Sequence, residues 1–127
     1  MIHLIKSERG QSLVEFALIL PLFMIVLFGI MEFGKLWEMS NLITSASREG
    51  ARVAAISGTS QSQAINAAQH VLSAANIDDA TVSVSGPNSE SEVSVTVTVR
   101  YTPLTGSIIP GFDQFSISRS TIMRWEG

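Results

Sequence analysis

Two residues near the N-terminus, Gly10 and Glu15, have types and a spacing that could support chemistry. Glu15 is the one charged residue in the apolar run from Leu13 to Met31. Because a carboxylate inside a bilayer costs roughly 3 kcal/mol or more, we expect Glu15 to pair with a positive group that offsets part of this cost. The alternative is a carboxylate that reaches the aqueous interface. Gly10 either lets the backbone extend into a protease cleft or marks a helix boundary.

The apolar run around Glu15 predicts a single helix that crosses a membrane. Leu13 to Met31 is about long enough to span a bilayer core. Lys6 and Arg9 precede the run, and positive charge favours the cytoplasmic side. We therefore expect residues 1 to about 12 in the cytoplasm and the C-terminal part outside the inner membrane. Two other interpretations stay open: a cleaved signal peptide and an anchor that is never processed.

The composition excludes several classes of function. The 127 residues carry a formal net charge of -3 without a basic run, which argues against a nucleic-acid partner. The absence of cysteine excludes disulfides and thiolate metal sites. His3 and His70 are far apart, and the adjacent Asp78 and Asp79 do not make a metal cage alone. No nucleophile motif or phosphate-binding glycine loop occurs, so we expect no enzyme activity, cofactor or metal.

Beyond the membrane segment, the sequence predicts helical patterns followed by strands. Small and apolar residues recur every three or four positions from Ile43 to Ser57, and Gly58 is the expected stop. A second helix is expected from about Ser60 to Ala75, with Ser60 as one possible cap. The period then changes to two, which predicts three strands in an antiparallel meander. The first regular residues of these strands are Val82, Val93 and Phe115.

This order of elements predicts an α+β fold in which a long membrane helix continues into a small domain outside the membrane. We expect a leader at residues 1–10, the membrane helix with its extension at 11–58, and the extracytoplasmic α+β domain at 59–127.

Arg119 breaks the alternation of the third strand, because it would share a face with Ile117. Either a bulge changes the register there or Arg119 reaches the rim of the sheet.

A second charged group lies on the extension of the first helix. Arg48 and Arg52 are four residues apart and share a helix face, and Glu49 can pair with Arg52 at a spacing of three. Gly50, between them, allows close approach of another element. The group is therefore either a motif for packing and partner contact or a solvated charged face.

Four stretches of the sequence point to one family. They are Gln11-Ser12-Leu13-Val14-Glu15-Phe16-Ala17 followed by Leu20-Pro21, then Glu32-Phe33-Gly34-Lys35, Ser47-Arg48-Glu49-Gly50-Ala51-Arg52, and Thr121-Ile122-Met123-Arg124-Trp125-Glu126. In this order they resemble the TadE-like proteins of the tight-adherence (Tad, or Flp) pilus system. The third stretch is similar to the family's A-R-E-G-A-R, with Ser47 in place of the usual Ala.

The resemblance implies a minor pseudopilin with a pilin-like fold that supports assembly of the Tad/Flp pilus. A small residue, a carboxylate five positions later and then Phe16 resemble a prepilin peptidase site. Cleavage would follow Gly10 and make Gln11 the new N-terminus. Glu15 and Phe16 would then act in recognition and assembly, with Glu15 pairing with the new amine of the same or a neighbouring chain. Residues implied in packing or partner contact are Glu32, Gly34, Arg48, Glu49, Gly50 and Arg52.

The resemblance also implies partners and a location. The partners would be a prepilin peptidase, other pilins or pseudopilins, the pilus assembly platform in the inner membrane, and the lipid bilayer. The protein would be a single-pass protein of the inner membrane or a component of the pilus. The alternative function is an uncleaved, membrane-anchored binding or adhesion module.

Overall fold

The computed structural model describes residues 2–106, 110–111 and 114–127, and of residues 2–7 the backbone alone. Its elements, in chain order, are α1 (Ile2–Ala55), α2 (Gln61–Ala74), β1 (Ala80–Ser85), β2 (Glu92–Tyr101) and β3 (Phe115–Arg124). Contacts divide the chain into an N-terminal unit, Met1–Gly34, and a C-terminal unit, Lys35–Gly127, and α1 contributes residues to both. The order of elements confirms the predicted α+β class.

The N-terminal unit is helical in its described residues and exposes its apolar side chains. Every residue from 8 to 31 is exposed, and Leu18, Phe23 and Ile30 are each more than half exposed. By length and composition, α1 contains a segment that is apolar enough to cross a membrane. Because a helix that is apolar on all sides is typical of a membrane span, the structure agrees with the predicted long apolar helix.

The sheet of the C-terminal unit has β2 in the middle, paired antiparallel with β1 on one side and β3 on the other. Alternate residues of β2 from Val93 to Tyr101 are buried, which is the period of two expected of a strand with one covered face. The other face carries short hydroxyl side chains. Three contacts of 3.1 Å join Ser94 and Thr96 to Ser120, and Thr98 to Ser118.

The continuous pairing of β2 with β3 decides between the two alternatives for Arg119. Val97 lies opposite Arg119 in an unbroken register, so the bulge is wrong. Arg119 stays in register with the covered face, but its side chain is exposed. Its Nη2 donates to the hydroxyl of Ser40 at 3.0 Å, and its Nη1 donates to the carbonyl of Ser118 at 2.9 Å. A long side chain thus carries the charge out to solvent at an edge strand.

The covered face of the sheet packs against α2 and the last turns of α1. The core consists of small and medium apolar residues: Ile43, Ala46, Ala51, Ala68, Leu72, Val95, Val97 and Val99. The hydroxyl of Ser60 accepts from the backbone N–H of Gln63 at 3.3 Å, and Oε1 of Gln63 accepts from the N–H of Ser60 at 2.8 Å. This capping box starts α2 and confirms the second helix, with the predicted end residues Ser60 and Ala75 as its caps.

The first helix ends at Ala55, before the glycine expected to stop it. The Thr59 hydroxyl lies 2.7 Å from the carbonyl oxygens of both Val53 and Ile56 and donates to them, which satisfies carbonyls that the helix no longer pairs. Gly58 has a φ of 81°, a conformation that favours glycine. Gly58 therefore shapes the turn after the helix.

Candidate functional site

The predicted processing and assembly residues lie on the exposed surface of the N-terminal unit. Gly10 and Gln11 are within α1, and a Cβ added to Gly10 would meet no heavy atom within 4 Å. Glu15 and Phe16 are also exposed, and Phe16 is 63% exposed. The described chain therefore leaves the peptide after Gly10 and the carboxylate of Glu15 open to other molecules.

The stretch Glu32-Phe33-Gly34-Lys35 lies where the N-terminal unit ends, at Gly34. Glu32 is half-buried, whereas Phe33 and Gly34 are exposed. A Cβ added to Gly34 would meet nothing within 4 Å. The space around Gly34 is thus not needed for packing of the described part of this chain.

Gly50 lies in a closely packed environment, in contrast to the open surroundings of Gly34. A Cβ at Gly50 would lie 3.0 Å from Cγ1 of Val95, 3.2 Å from the Cβ of Ala68 and 3.3 Å from the carbonyl oxygen of Ala64. The missing side chain is what lets α1 contact both α2 and the central strand at this level. The neighbouring Ala51 is buried and belongs to the same core.

A buried hydroxyl contact ties α1 to the edge strand. Ser47 is fully buried, and its Oγ shares a hydrogen bond of 2.7 Å with Oγ1 of Thr121. The same Oγ lies 2.8 Å from the carbonyl oxygen of Thr44, to which it donates. This contact could not be predicted, because pairing across the fold has no signal in a single sequence. The one hint was the serine where the family usually has alanine.

The charged residues around Gly50 lie at the surface. Arg48 is exposed, and Arg52 forms a two-pronged ion pair with Glu49, with Nη2 to Oε1 at 2.7 Å and Nε to Oε2 at 3.1 Å. The predicted pairing at a spacing of three is confirmed. The hydrogen bonds from Arg52 lower the pKa of Glu49 below its ordinary value of 4.5. The motif thus combines an inward glycine with an outward ion pair.

The described residues define a class of protein with one helix suited to single-pass membrane anchoring and a small α+β unit. Residues 10–52, about a third of the chain, match the model of a family described as TadE-like protein. Over these residues the chain is similar to TadE-like proteins, and the predicted resemblance is confirmed for its first three stretches. TadE-like proteins are in general not enzymatic, and the match suggests an involvement in the Tad pilus, with pilin-like and membrane partners. Comparisons with curated proteins and with solved structures found no match.

Proposed function

We propose that this chain is a minor pseudopilin that supports assembly of the Tad pilus after cleavage following Gly10. In this proposal residues 1–10 face the cytoplasm, α1 anchors the chain in the inner membrane, and the C-terminal unit lies outside it. The observation that carries the proposal is the exposed apolar surface of residues 8–31 with Gly10 and Glu15 five residues apart on it. Both residues fall inside the TadE-like match.

Cleavage needs the helix to open locally at Gly10. The peptide after Gly10 lies within α1, whereas a protease takes its substrate in extended form. Glycine is about 1 kcal/mol less favourable than alanine in a helix, and no neighbouring heavy atom lies within 4 Å of its would-be Cβ. Opening the helix at this residue therefore costs less than at its neighbours, which supports Gly10 as the point of entry.

Cleavage would also create the positive group that Glu15 lacks. The new amine of Gln11 would lie four residues before Glu15, a spacing that places two groups on the same face of a helix. The same amine could instead reach the Glu15 of a neighbouring subunit. Either pairing would offset the cost of a carboxylate in lipid, and pairing between subunits would set the register of adjacent helices.

Gly34 would contribute to assembly by admitting a neighbouring helix. Its surroundings are open in this chain, and small residues let helices approach closely where lipid removes the hydrophobic drive for contact. The exposed Arg48 would provide a polar contact on the C-terminal unit. Glu32, Glu49 and Arg52 would hold these surfaces in place.

The test is the intact mass and N-terminal sequence of the protein from cells that carry a Tad pilus system. We expect a chain that starts at Gln11. Gly10→Leu should retain the leader, whereas the matched Gly29→Leu should be processed normally, because its glycine is equally open but lies away from the cleavage point. Retention of residues 1–10 in the unaltered protein would overturn the processing step and favour the uncleaved binding module.

Assembly is tested separately by crosslinking and co-purification of pilin-like subunits. Glu15→Gln should leave the leader cleaved but reduce co-purification at least tenfold, since the neutral side chain does not pair with the new amine. Glu8→Gln changes a carboxylate in the removed leader and is the matched control. Equal co-purification from Glu15→Gln and the unaltered chain would remove Glu15 from the assembly step.

A further inference from the structure

A small cavity lies within the C-terminal unit, at the level of the turn between α1 and α2. Its volume is about 120 Å³. Val84 and Val93 from adjacent strands give it an apolar floor, and Trp125 and Pro87 form walls. Ser60 and Gln61, at the start of α2, contribute polar groups to the rim. None of the described residues that line the cavity is charged.

The aromatic wall of this cavity is held in place by backbone contacts. The N–H of Trp125 donates to the carbonyl of Ser91 at 2.7 Å, and the N–H of Glu126 donates to the carbonyl of Ala55 at 2.9 Å. These bonds fix the chain on both sides of the indole. The cavity is therefore built before a ligand arrives, which reduces the ordering cost of binding.

The turn beside Trp125 is equally constrained. Gly86 has a φ of 107°, and a Cβ there would lie 2.5 Å from the carbonyl oxygen of Glu92. The Asn88 side chain accepts hydrogen bonds from the N–H groups of Glu90 and Glu92 at 3.0 and 2.9 Å. Pro87 is thereby kept at the wall of the cavity.

Among the polar side chains that line the cavity, that of Gln61 is available to a ligand. The Ser60 hydroxyl is used by the capping box and by Ser62 at 2.9 Å. The amide of Gln61 makes no hydrogen bond to another described residue and is exposed. A side-chain amide has both a donor and an acceptor, so Gln61 can donate a hydrogen bond to a ligand hydroxyl or accept one from it.

We propose that this cavity binds one neutral pyranose ring of a carbohydrate. Its volume is close to that of an apolar cavity of roughly 150 Å³ that holds benzene, so it would take one face of the sugar ring and leave the ring hydroxyls at the opening. The C–H face of a sugar ring would pack against the indole of Trp125, and a ring hydroxyl would bind the amide of Gln61. A charged ligand would find no opposite charge in the lining. This activity does not depend on processing or pilus assembly.

The chain's two tryptophans give a direct test with the full chain in detergent micelles. Trp37→Phe leaves Trp125 as the one tryptophan, and its emission is measured during titration with glucose, galactose, mannose and N-acetylglucosamine. We expect a saturable change with at least one sugar at millimolar concentration. Trp125→Phe, which retains Trp37, should show no saturable change. Glycerol, an acyclic polyol, should give no saturation in either variant.

A second pair of variants tests the rim. In the Trp37→Phe background, Gln61→Ala should weaken sugar binding at least about threefold, the effect of one lost hydrogen bond. Gln69→Ala, on an exposed position of the same helix, should not change it. The proposal is overturned if no sugar saturates the Trp125 signal, if Trp37 responds equally, or if phenol saturates while every sugar fails. The last result would identify a site for an apolar side chain of a partner.

Discussion

Leu22 and Leu72 both lie on helices, yet Leu22 is 64% exposed and Leu72 is 1% exposed. The difference extends to the two units to which they belong. In the N-terminal unit large apolar side chains point outward on every side, whereas in the C-terminal unit small apolar residues pack into a core with the sheet. The comparison shows that only the C-terminal unit can stabilise itself within one chain. The N-terminal unit needs lipid or other helices, which fits a membrane anchor.

The difference between the two units is tested most directly by placing the same side chain at a glycine of each unit. Gly50→Leu should destabilise the C-terminal unit by more than about 3 kcal/mol, because even a Cβ there lies 3.0 Å from Val95 and overpacking a core is costly. The measurement is urea unfolding of the full chain in a mild detergent, followed by the emission of Trp125 in a Trp37→Phe background.

Gly34→Leu is the matched control for that substitution. A Cβ added there would meet no described heavy atom within 4 Å, and leucine favours a helix more than glycine does. The unfolding of the C-terminal unit should therefore be unchanged. A similar loss in both variants would mean that helix sequence, and not packing around Gly50, decides stability.

The next effect in size comes from truncating a leucine in each unit. Leu72→Ala should cost about 3 kcal/mol, the range for a buried leucine that leaves a cavity. Leu22→Ala should leave the unfolding midpoint of the C-terminal unit unchanged, since Leu22 lies in the other unit and is exposed. The same urea titration measures both. Equal shifts would contradict the assignment of the core to Lys35–Gly127.

These contrasts also explain how much could be predicted from the sequence. The alternation of β2 and the capping box of α2 are local patterns, and both predicted elements are present. The apolar run predicted the anchor helix in the same way. What could not be predicted depends on distant residues: the partner of Ser47, the unbroken register at Arg119, and the cavity beside Trp125. Each is decided by which elements the fold brings together, and a single sequence carries no signal of such contacts.

A smaller effect is expected for the buried hydroxyl contact of the C-terminal unit. Ser47→Ala should cost about 1 kcal/mol, because it removes the 2.7 Å hydrogen bond to Thr121 from a fully buried position. The double variant Ser47→Ala/Thr121→Val should cost less than the sum of the two single changes, as expected for groups in contact. Ser12→Ala, at an exposed position of α1, is the control. Strict additivity of the two single changes would show that the hydroxyl contact adds nothing to stability.

The smallest effect concerns the surface ion pair. The hydrogen bonds from Arg52 hold the pKa of Glu49 below its ordinary value of 4.5, so the pair stabilises the folded state above that pH and loses its effect as pH falls through the folded-state pKa. Because the Arg52 side chain is 62% exposed and that of Glu49 38% exposed, salt and water screen the interaction and the gain is small. Arg52→Gln should therefore unfold slightly more easily than the unaltered chain at neutral pH, and the difference should vanish in acid.

Arg48→Gln, at an exposed arginine of the same helix, should leave the pH dependence unchanged. Unfolding midpoints measured across the acidic range at low and high salt would detect the difference, and a pH dependence retained in Arg52→Gln would assign it to carboxylates other than Glu49.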